Sequence, residues 1–249
     1  MSAEIKQGVF ASSDYQKNDP VYLDAKIYDH PKESYKQIVS LISSACGNKP
    51  ISLVDVGCAS GGFISHAKSR LNLSHCTGID ISDALLAQAR QHLPDVEWLV
   101  DSILEPSALN GRQFDVCTCI GTVSIFDDLH PALTNLFSLV KKAGLLYIFD
   151  LINDDPVDVL MRYRIMQPEG ASEWQPGFNV RSLASYEQFL KRLDSGVLIK
   201  LFDFELSARI EKTANPMRAW TLQTEQKRTQ LVVGTGQLLN FKILEIRKP

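Results

Sequence analysis

Apolar and polar positions alternate along the first 150 residues in two rhythms, one with the spacing of helices and one with that of buried strands. Tyr35, Ile38, Val39 and Ile42 recur at helical spacing, and the pattern stops near Gly47. The run Ile51 to Val56 then reads as a strand covered on both faces and ends in the glycine-rich turn Gly57-Cys58-Ala59-Ser60-Gly61-Gly62. Phe63, Ile64, Ala67 and Leu71 resume the helical spacing. A second strand, His75 to Ile79, ends at Asp80. Ser82 is placed to cap a helix carrying Leu85, Leu86, Ala89 and Leu93, which Pro94 terminates. Val96 to Val100 and Phe114 to Ile120 read as the third and fourth strands. Pro131 suits a first helical position, and the stripe Leu133, Leu136, Phe137, Val140 ends before Gly144; Leu145 to Phe149 makes the fifth strand.

Short strands alternating with helices predict an α/β fold with a doubly wound, mostly parallel sheet, whose ligands bind at the carboxyl ends of the strands. Asp55, Gly57, Asp80, Asp101 and Ile120 all fall at or beside such ends. Beyond Asp150 the rhythm breaks. Asn153 to Arg181 is rich in Pro, Gly and polar residues with aromatics between them, too long for an ordinary connection, and predicts a cap over 151–196 inserted after the fifth strand. Tyr186, Phe189, Leu190 and Leu193 restore a helix. Strand-like runs at Val197 to Leu206, Arg218 to Thr224, Leu231 to Gly234 and Leu238 to Ile246 predict an antiparallel C-terminal edge. The expected organisation is one domain, 1–249, with an N-terminal lid segment over 1–33 that carries Tyr15, Tyr22, Tyr28 and His30.

A formal net charge of −3 and the absence of a long basic run leave no electrostatic footprint for nucleic acid. No apolar segment approaches membrane-spanning length, and the first residues lack the pattern of a signal peptide, so a cytoplasmic location is expected. Five cysteines without paired spacing fit a reducing compartment and no disulfide framework, and no metal site is expected. Oligomeric state is not encoded in the pattern.

Val54-Asp55-Val56-Gly57-Cys58-Ala59-Ser60-Gly61-Gly62, with Asp80 ending the second strand and Asp101-Ser102-Ile103 following the third, resembles the class I S-adenosylmethionine-dependent methyltransferases over about residues 35 to 150. The resemblance implies S-adenosyl-L-methionine as cofactor. Gly57, Cys58, Ala59, Ser60 and Gly61 would lie against its methionine half, and Asp55 would hold the turn or face its ammonium. Asp80 would accept the ribose hydroxyls, Asp101 and Ser102 would face the adenine edge, Ile81 and Ile103 would sandwich the ring, and Ile120 or Gly121 would form the floor. Cys119-Ile120-Gly121-Thr122 lacks the Asp/Asn-Pro-Pro-aromatic signature of enzymes that methylate nucleobase amines. A small-molecule acceptor is therefore expected, methylated at oxygen or nitrogen, with a sugar, sugar nucleotide or natural-product intermediate as examples. His130 is the best-placed histidine for a base, or else it opens the helix at Pro131; Arg162, Tyr163, Trp174 and Asn179 are expected to line the acceptor pocket. Two other readings stay open: a nicotinamide-dependent oxidoreductase, which also uses a glycine turn and a later acid, and a non-catalytic cofactor-binding partner.

Overall fold

The computed structural model describes residues 22–23, 26–109, 111–168, 170–215, 218–223 and 229–249. After a short helix α1 (Lys26–Asp29), the chain alternates as expected: α2 (Glu33–Cys46), β1 (Ile51–Val56), α3 (Gly62–Lys68), β2 (Leu73–Asp80), α4 (Asp83–His92), β3 (Glu97–Val100), β4 (Phe114–Ile120), α5 (His130–Ser138) and β5 (Val140–Asn153). Ser82 does cap α4, accepting from the Leu85 N–H at 3.3 Å. Helix α5 differs from expectation. It ends at Ser138, and Val140 opens β5 by pairing with Phe114, because an apolar side chain at that position fits a sheet edge as well as a helical stripe.

The main sheet runs β11-β15-β5-β4-β1-β2-β3, where β11 is Leu198–Asp203 and β15 is Phe241–Arg247. Pairings among β1 to β5 are parallel; β15 is antiparallel both to β5 and to β11. The reversed strand thus lies one place in from the edge, and β11 runs the same way as β5. Alternate residues of each strand feed two cores. One contains Val54, Val56, Cys117, Cys119, Leu146 and Ile148 and is covered by α5 and by α6 (Leu183–Leu193); the other contains Leu53, Val116, Tyr147 and Phe149 and is covered by α2, α3 and α4.

Among the described residues between β5 and α6 stand two-residue strands: β6 (Arg162–Tyr163) with β9 (Gln175–Pro176), β7 (Met166–Gln167) with β8 (Gly170–Ala171), and β10 (Arg181–Ser182) beside the end of β5. The remaining C-terminal runs, β12 (Trp220–Gln223), β13 (Thr229–Val232) and β14 (Leu238–Leu239), form a separate three-stranded sheet. Leu151, Val233 and Leu239 join that small sheet to the cap residues Phe178 and Val180. No described helix is long and apolar enough to cross a membrane.

Candidate functional site

At the carboxyl end of β1 the backbone bends through three left-handed positions, Gly57 (φ 72°), Ala59 (φ 48°) and Gly61 (φ 82°). Two of them are places where only glycine fits: a Cβ on Gly57 would run into the Thr122 side chain, and one on Gly61 into the Trp98 indole. Strand pairing fixes the turn from below, since the N–H groups of Gly57 and Cys58 both donate to the Ile79 carbonyl, at 2.8 and 3.0 Å. Asp80 fixes it from the side. One carboxylate oxygen accepts from the Ala59 N–H at 2.8 Å and the other from the Ser82 N–H at 3.0 Å, so a single side chain ties the turn to the start of α4.

Asp55 is buried and accepts a 2.7 Å bond from the Thr118 hydroxyl. Burial pushes its carboxyl up to about 7, against the lowering effect of that bond and with a further upward push from Asp80. Gly121, at the exit of β4, also has a positive φ (70°), and a Cβ there would meet nothing within 4 Å. Open space therefore lies next to the turn. The segment after it is pinned by Asp150, fully buried, which accepts from the N–H groups of Ser124 at 2.6 Å and Leu151 at 2.8 Å and whose carboxyl burial pushes up to about 6.

The N-terminal segment reaches the same place. Tyr28 donates its hydroxyl to the Ser60 carbonyl at 2.5 Å, the Ser60 hydroxyl donates to the Tyr22 carbonyl at 2.8 Å, and Ile27 packs over Gly62. Tyr28 also stacks on His92, ring centroids 4.1 Å apart. Tyr15 and the remainder of the expected lid up to residue 21 lie outside the described residues.

The surroundings of the other expected site residues are as follows. The Asp101 carboxylate is occupied by its own loop, accepting from the N–H groups of Ser102 (2.9 Å), Ser107 (2.9 Å) and Ala108 (2.8 Å). Its first task is to shape that loop, which folds Ile103 into the core while Ile81 stays partly exposed. His130 starts α5, with its N–H on Asp128 at 2.9 Å and its ring stacked on Phe189 at 4.2 Å. The cleft of about 390 Å³ that it lines, with Asp158, Arg181 and Arg192, contains no residue of the glycine turn. His130 thus stands at the start of α5, the second of the two positions expected for it.

Asn179 is fully buried, and its side chain accepts from the Met161 N–H at 2.8 Å and donates to the Phe126 carbonyl at 3.1 Å, so it anchors the cap to the segment after β4. Arg162, Tyr163 and Trp174 do come together. With Arg164, Ile165, Met166, Gly234 and Thr235 they line an open cleft of about 490 Å³, in which the Arg164 guanidinium lies 5.0 Å from the Trp174 ring centroid. This cleft too shares no lining residue with the glycine turn. Arg162 in addition pairs with Asp127.

Sequence reasoning missed Thr122, Trp98 and Asp150. Only the fold brings them to the turn and to the exit of β4, although three apolar-flanked polar or bulky residues beside strand ends were a visible hint. Among the described residues no group of three or more His, Cys, Asp or Glu is placed to hold a metal.

Residues 54–146 match the family model of the methyltransferase domain. The chain is similar to the ubiquinone biosynthesis O-methyltransferase of Hahella chejuensis, 27% identical over 175 residues that cover 66% of this chain and 67% of that protein. It is also similar to the trans-aconitate 2-methyltransferase of Enterobacter sp. (strain 638), 31% identical over 137 residues, 51% of each chain. In the Enterobacter protein the match spans 51% of its length, and in the ubiquinone biosynthesis O-methyltransferase of Pseudomonas putida (strain W619) 69%. In fold, the chain is similar to the N-methyltransferase NodS of Bradyrhizobium japonicum WM9 in complex with S-adenosyl-L-homocysteine, with a TM-score of 0.53, 14% identity and 95% of both chains covered.

Proposed function

From the premise that residues 54–146 are a methyltransferase domain with S-adenosylmethionine as its cofactor, we propose that this chain transfers a methyl group to an oxygen of a small molecule, with nitrogen as the second choice of acceptor atom. The observation that carries this reading is the 2.8 Å bond from the Ala59 N–H to Asp80, which joins the glycine turn and the strand-end acid into one site beside the open ground at Gly121.

The residues present suit the cofactor. Turn backbone without side chains accepts a close approach of its amino-acid half, and the Asp80 carboxylate, which holds the Ala59 and Ser82 N–H groups, is the acceptor proposed for the ribose hydroxyls. Asp55 supplies a buried carboxyl whose charge a bound ammonium would favour. The cofactor when bound supplies an electrophilic methyl on a sulfonium. What the chain adds is alignment and exclusion of water: Tyr28 and Tyr22 strap the turn, and Asp150 fixes the Thr122 to Phe126 segment that borders it. An acceptor that is acidic at its oxygen needs no strong base.

Two considerations favour oxygen. The similar protein from Hahella is by name an O-methyltransferase, and the enzyme from Enterobacter acts by name on trans-aconitate. The cap residues Arg162, Tyr163 and Trp174 are proposed to meet the outer part of the acceptor, and the N-terminal segment to act as a lid.

Incubating the pure protein with S-adenosylmethionine labelled in its methyl group and a panel of phenols, carboxylic acids and amines, followed by mass spectrometry, tests the reading. A labelled oxygen-methylated product supports it. Tight cofactor binding without a labelled product in this panel or in a cell extract would instead support a non-catalytic partner protein.

A further inference from the structure

The cap hairpin sets a guanidinium and an exposed indole side by side at the mouth of a cleft. In the β6–β9 pair Arg162 stands opposite Pro176 and Tyr163 opposite Gln175, and continuing that register brings Arg164 opposite Trp174. The contact is made: the Arg164 guanidinium lies over the indole, 5.0 Å from its centroid. Backbone and side-chain bonds hold the walls in place. The Gly177 N–H donates to the Met161 carbonyl at 3.0 Å, the Ile165 N–H to the Ser172 hydroxyl at 2.9 Å, and the Ser172 N–H to the Ile165 carbonyl at 2.9 Å. The Tyr163 hydroxyl is fixed in turn on Gln175, at 3.1 Å.

Between these side chains and the Gly234-Thr235 turn lies the open cleft of about 490 Å³, a volume that suits a small molecule. Its lining joins two chemistries. Trp174 keeps 53% of its surface exposed and Met166 70%, so a large apolar area stands in water beside the cavity. Arg162 and Arg164 bring positive charge to the same place. The charge of Arg162 is met by Asp127, which assigns an incoming anion to Arg164. A guanidinium laid over an indole keeps its N–H groups in its own plane, where they form a fork for a carboxylate. A flat ring that carries an acidic group answers both chemistries at once: the ring covers the exposed indole and the acid meets the fork.

Arg162 also ties this cleft to the active side of the molecule. Its partner Asp127 lies on the segment that leaves β4 past the open ground at Gly121, and Asp127 accepts as well from the buried Asn179 at 3.4 Å. We propose that the cleft holds an aromatic ring bearing an acidic group, the outer part of the methyl acceptor, with the ring on Trp174 and the anion on Arg164. The proposal rests on the methyltransferase reading and narrows the acceptor to aromatic acids.

The test is an NMR titration of the full chain with benzoate, with benzyl alcohol, which keeps the ring without the charge, and with cyclohexanecarboxylate, which keeps the charge without the flat ring. Wild type should bind benzoate roughly tenfold or more tightly than either of the others, and Trp174→Ala and Arg164→Met should each weaken benzoate by a similar factor. Trp174→Phe should keep most of the affinity, and Lys191→Met, which removes a lysine paired with Glu187 on α6, should match wild type. The exposure of Trp174 lets Trp174→Ala fold normally. A wild type that does not bind benzoate overturns the proposal, and so does equal affinity in wild type and Trp174→Ala. Phosphatidylcholine vesicles that shift the Trp174 indole signal where benzoate does not would make this face a lipid contact, and the proposal falls. Titrating the same samples with S-adenosylhomocysteine separates the two readings. Trp174-dependent benzoate binding without S-adenosylhomocysteine binding sinks the methyltransferase reading and leaves the cleft; the reverse result sinks the cleft alone. Methyl transfer to an aromatic acid with the same KM in wild type and Trp174→Ala overturns the acceptor assignment.

Discussion

Around the glycine turn the chain is fixed by backbone: Gly57 and Cys58 hang on the Ile79 carbonyl, Gly61 donates to the Cys58 carbonyl, and five parallel strands deliver the turn and the strand-end acids to one edge. The cap is fixed by side chains. Its strands are two residues long, and what holds it is Asn179 on Met161 and Phe126, Arg181 on Phe126 and Asp127, and Asp158 on the Ser182 N–H at 2.7 Å. A turn made of backbone tolerates few substitutions and keeps one ligand, whereas a lid made of side-chain anchors can be rebuilt around the same core. On the proposed reading, that division would put cofactor binding in residues 54–146 and acceptor choice outside them.

Asp80→Ala should have the largest effect. It removes the acceptor of two N–H groups and the proposed ribose contacts, so S-adenosylhomocysteine affinity measured by calorimetry should fall on the order of 100-fold, while the circular dichroism spectrum stays that of the wild type. Unchanged affinity would separate Asp80 from the cofactor. Gly57→Ala comes next, costing roughly 2–3 kcal/mol in denaturant unfolding through its positive φ and the collision with Thr122. Adding Thr122→Ala should recover the steric part, and no recovery would show that the conformation alone is responsible.

Asn179→Ala breaks the cap instead. Leaving the Met161 N–H and the Phe126 carbonyl without their partner should cost about 1–3 kcal/mol and speed hydrogen exchange across residues 159–181, with cofactor affinity unchanged. A parallel loss of cofactor affinity would erase the distinction between cap and core.

Asp55 gives a pH test of the core. Its folded carboxyl titrates near 7, above the usual carboxylate value, so the folded state holds the proton more tightly than the unfolded chain. Stability from this group is complete at low pH and is lost as pH rises toward and through 7. Asp55→Asn should therefore gain melting temperature relative to wild type between pH 5 and 8, by a few degrees. A difference that does not change over that range would mean an unshifted carboxyl. Smallest is Trp174→Ala: with 53% of its surface exposed, its loss should change stability by no more than about 0.5 kcal/mol while raising the acceptor KM.

How much of this was legible beforehand follows the same boundary. Strands β1 to β5, the Ser82 cap and the glycine turn were written in local periodicity and in residue types at fixed offsets. Val140 was misplaced by local pattern, since only its pairing with Phe114 shows it to be sheet. Placement of β15 between β5 and β11, and the separation of β12, β13 and β14 into a small sheet, rest on partners far away in sequence that no spacing rule reports. The same holds for the site. Asp55, Asp80 and Asp101 are all recognisable as strand-end acids, but that the Asp101 carboxylate also holds the N–H groups of Ser107 and Ala108, six and seven residues on, no spacing rule reports. Asn179 looked like a pocket residue because polar side chains in a long loop usually face water; the cap has so little backbone pairing that it buries this one as an anchor.

The most direct measurement of the central claim is a calorimetric titration of wild type and Asp80→Ala with S-adenosylhomocysteine and with NAD. The account predicts that wild type binds S-adenosylhomocysteine, that Asp80→Ala largely loses it, and that NAD gives no heat with either; binding of NAD without S-adenosylhomocysteine would contradict it.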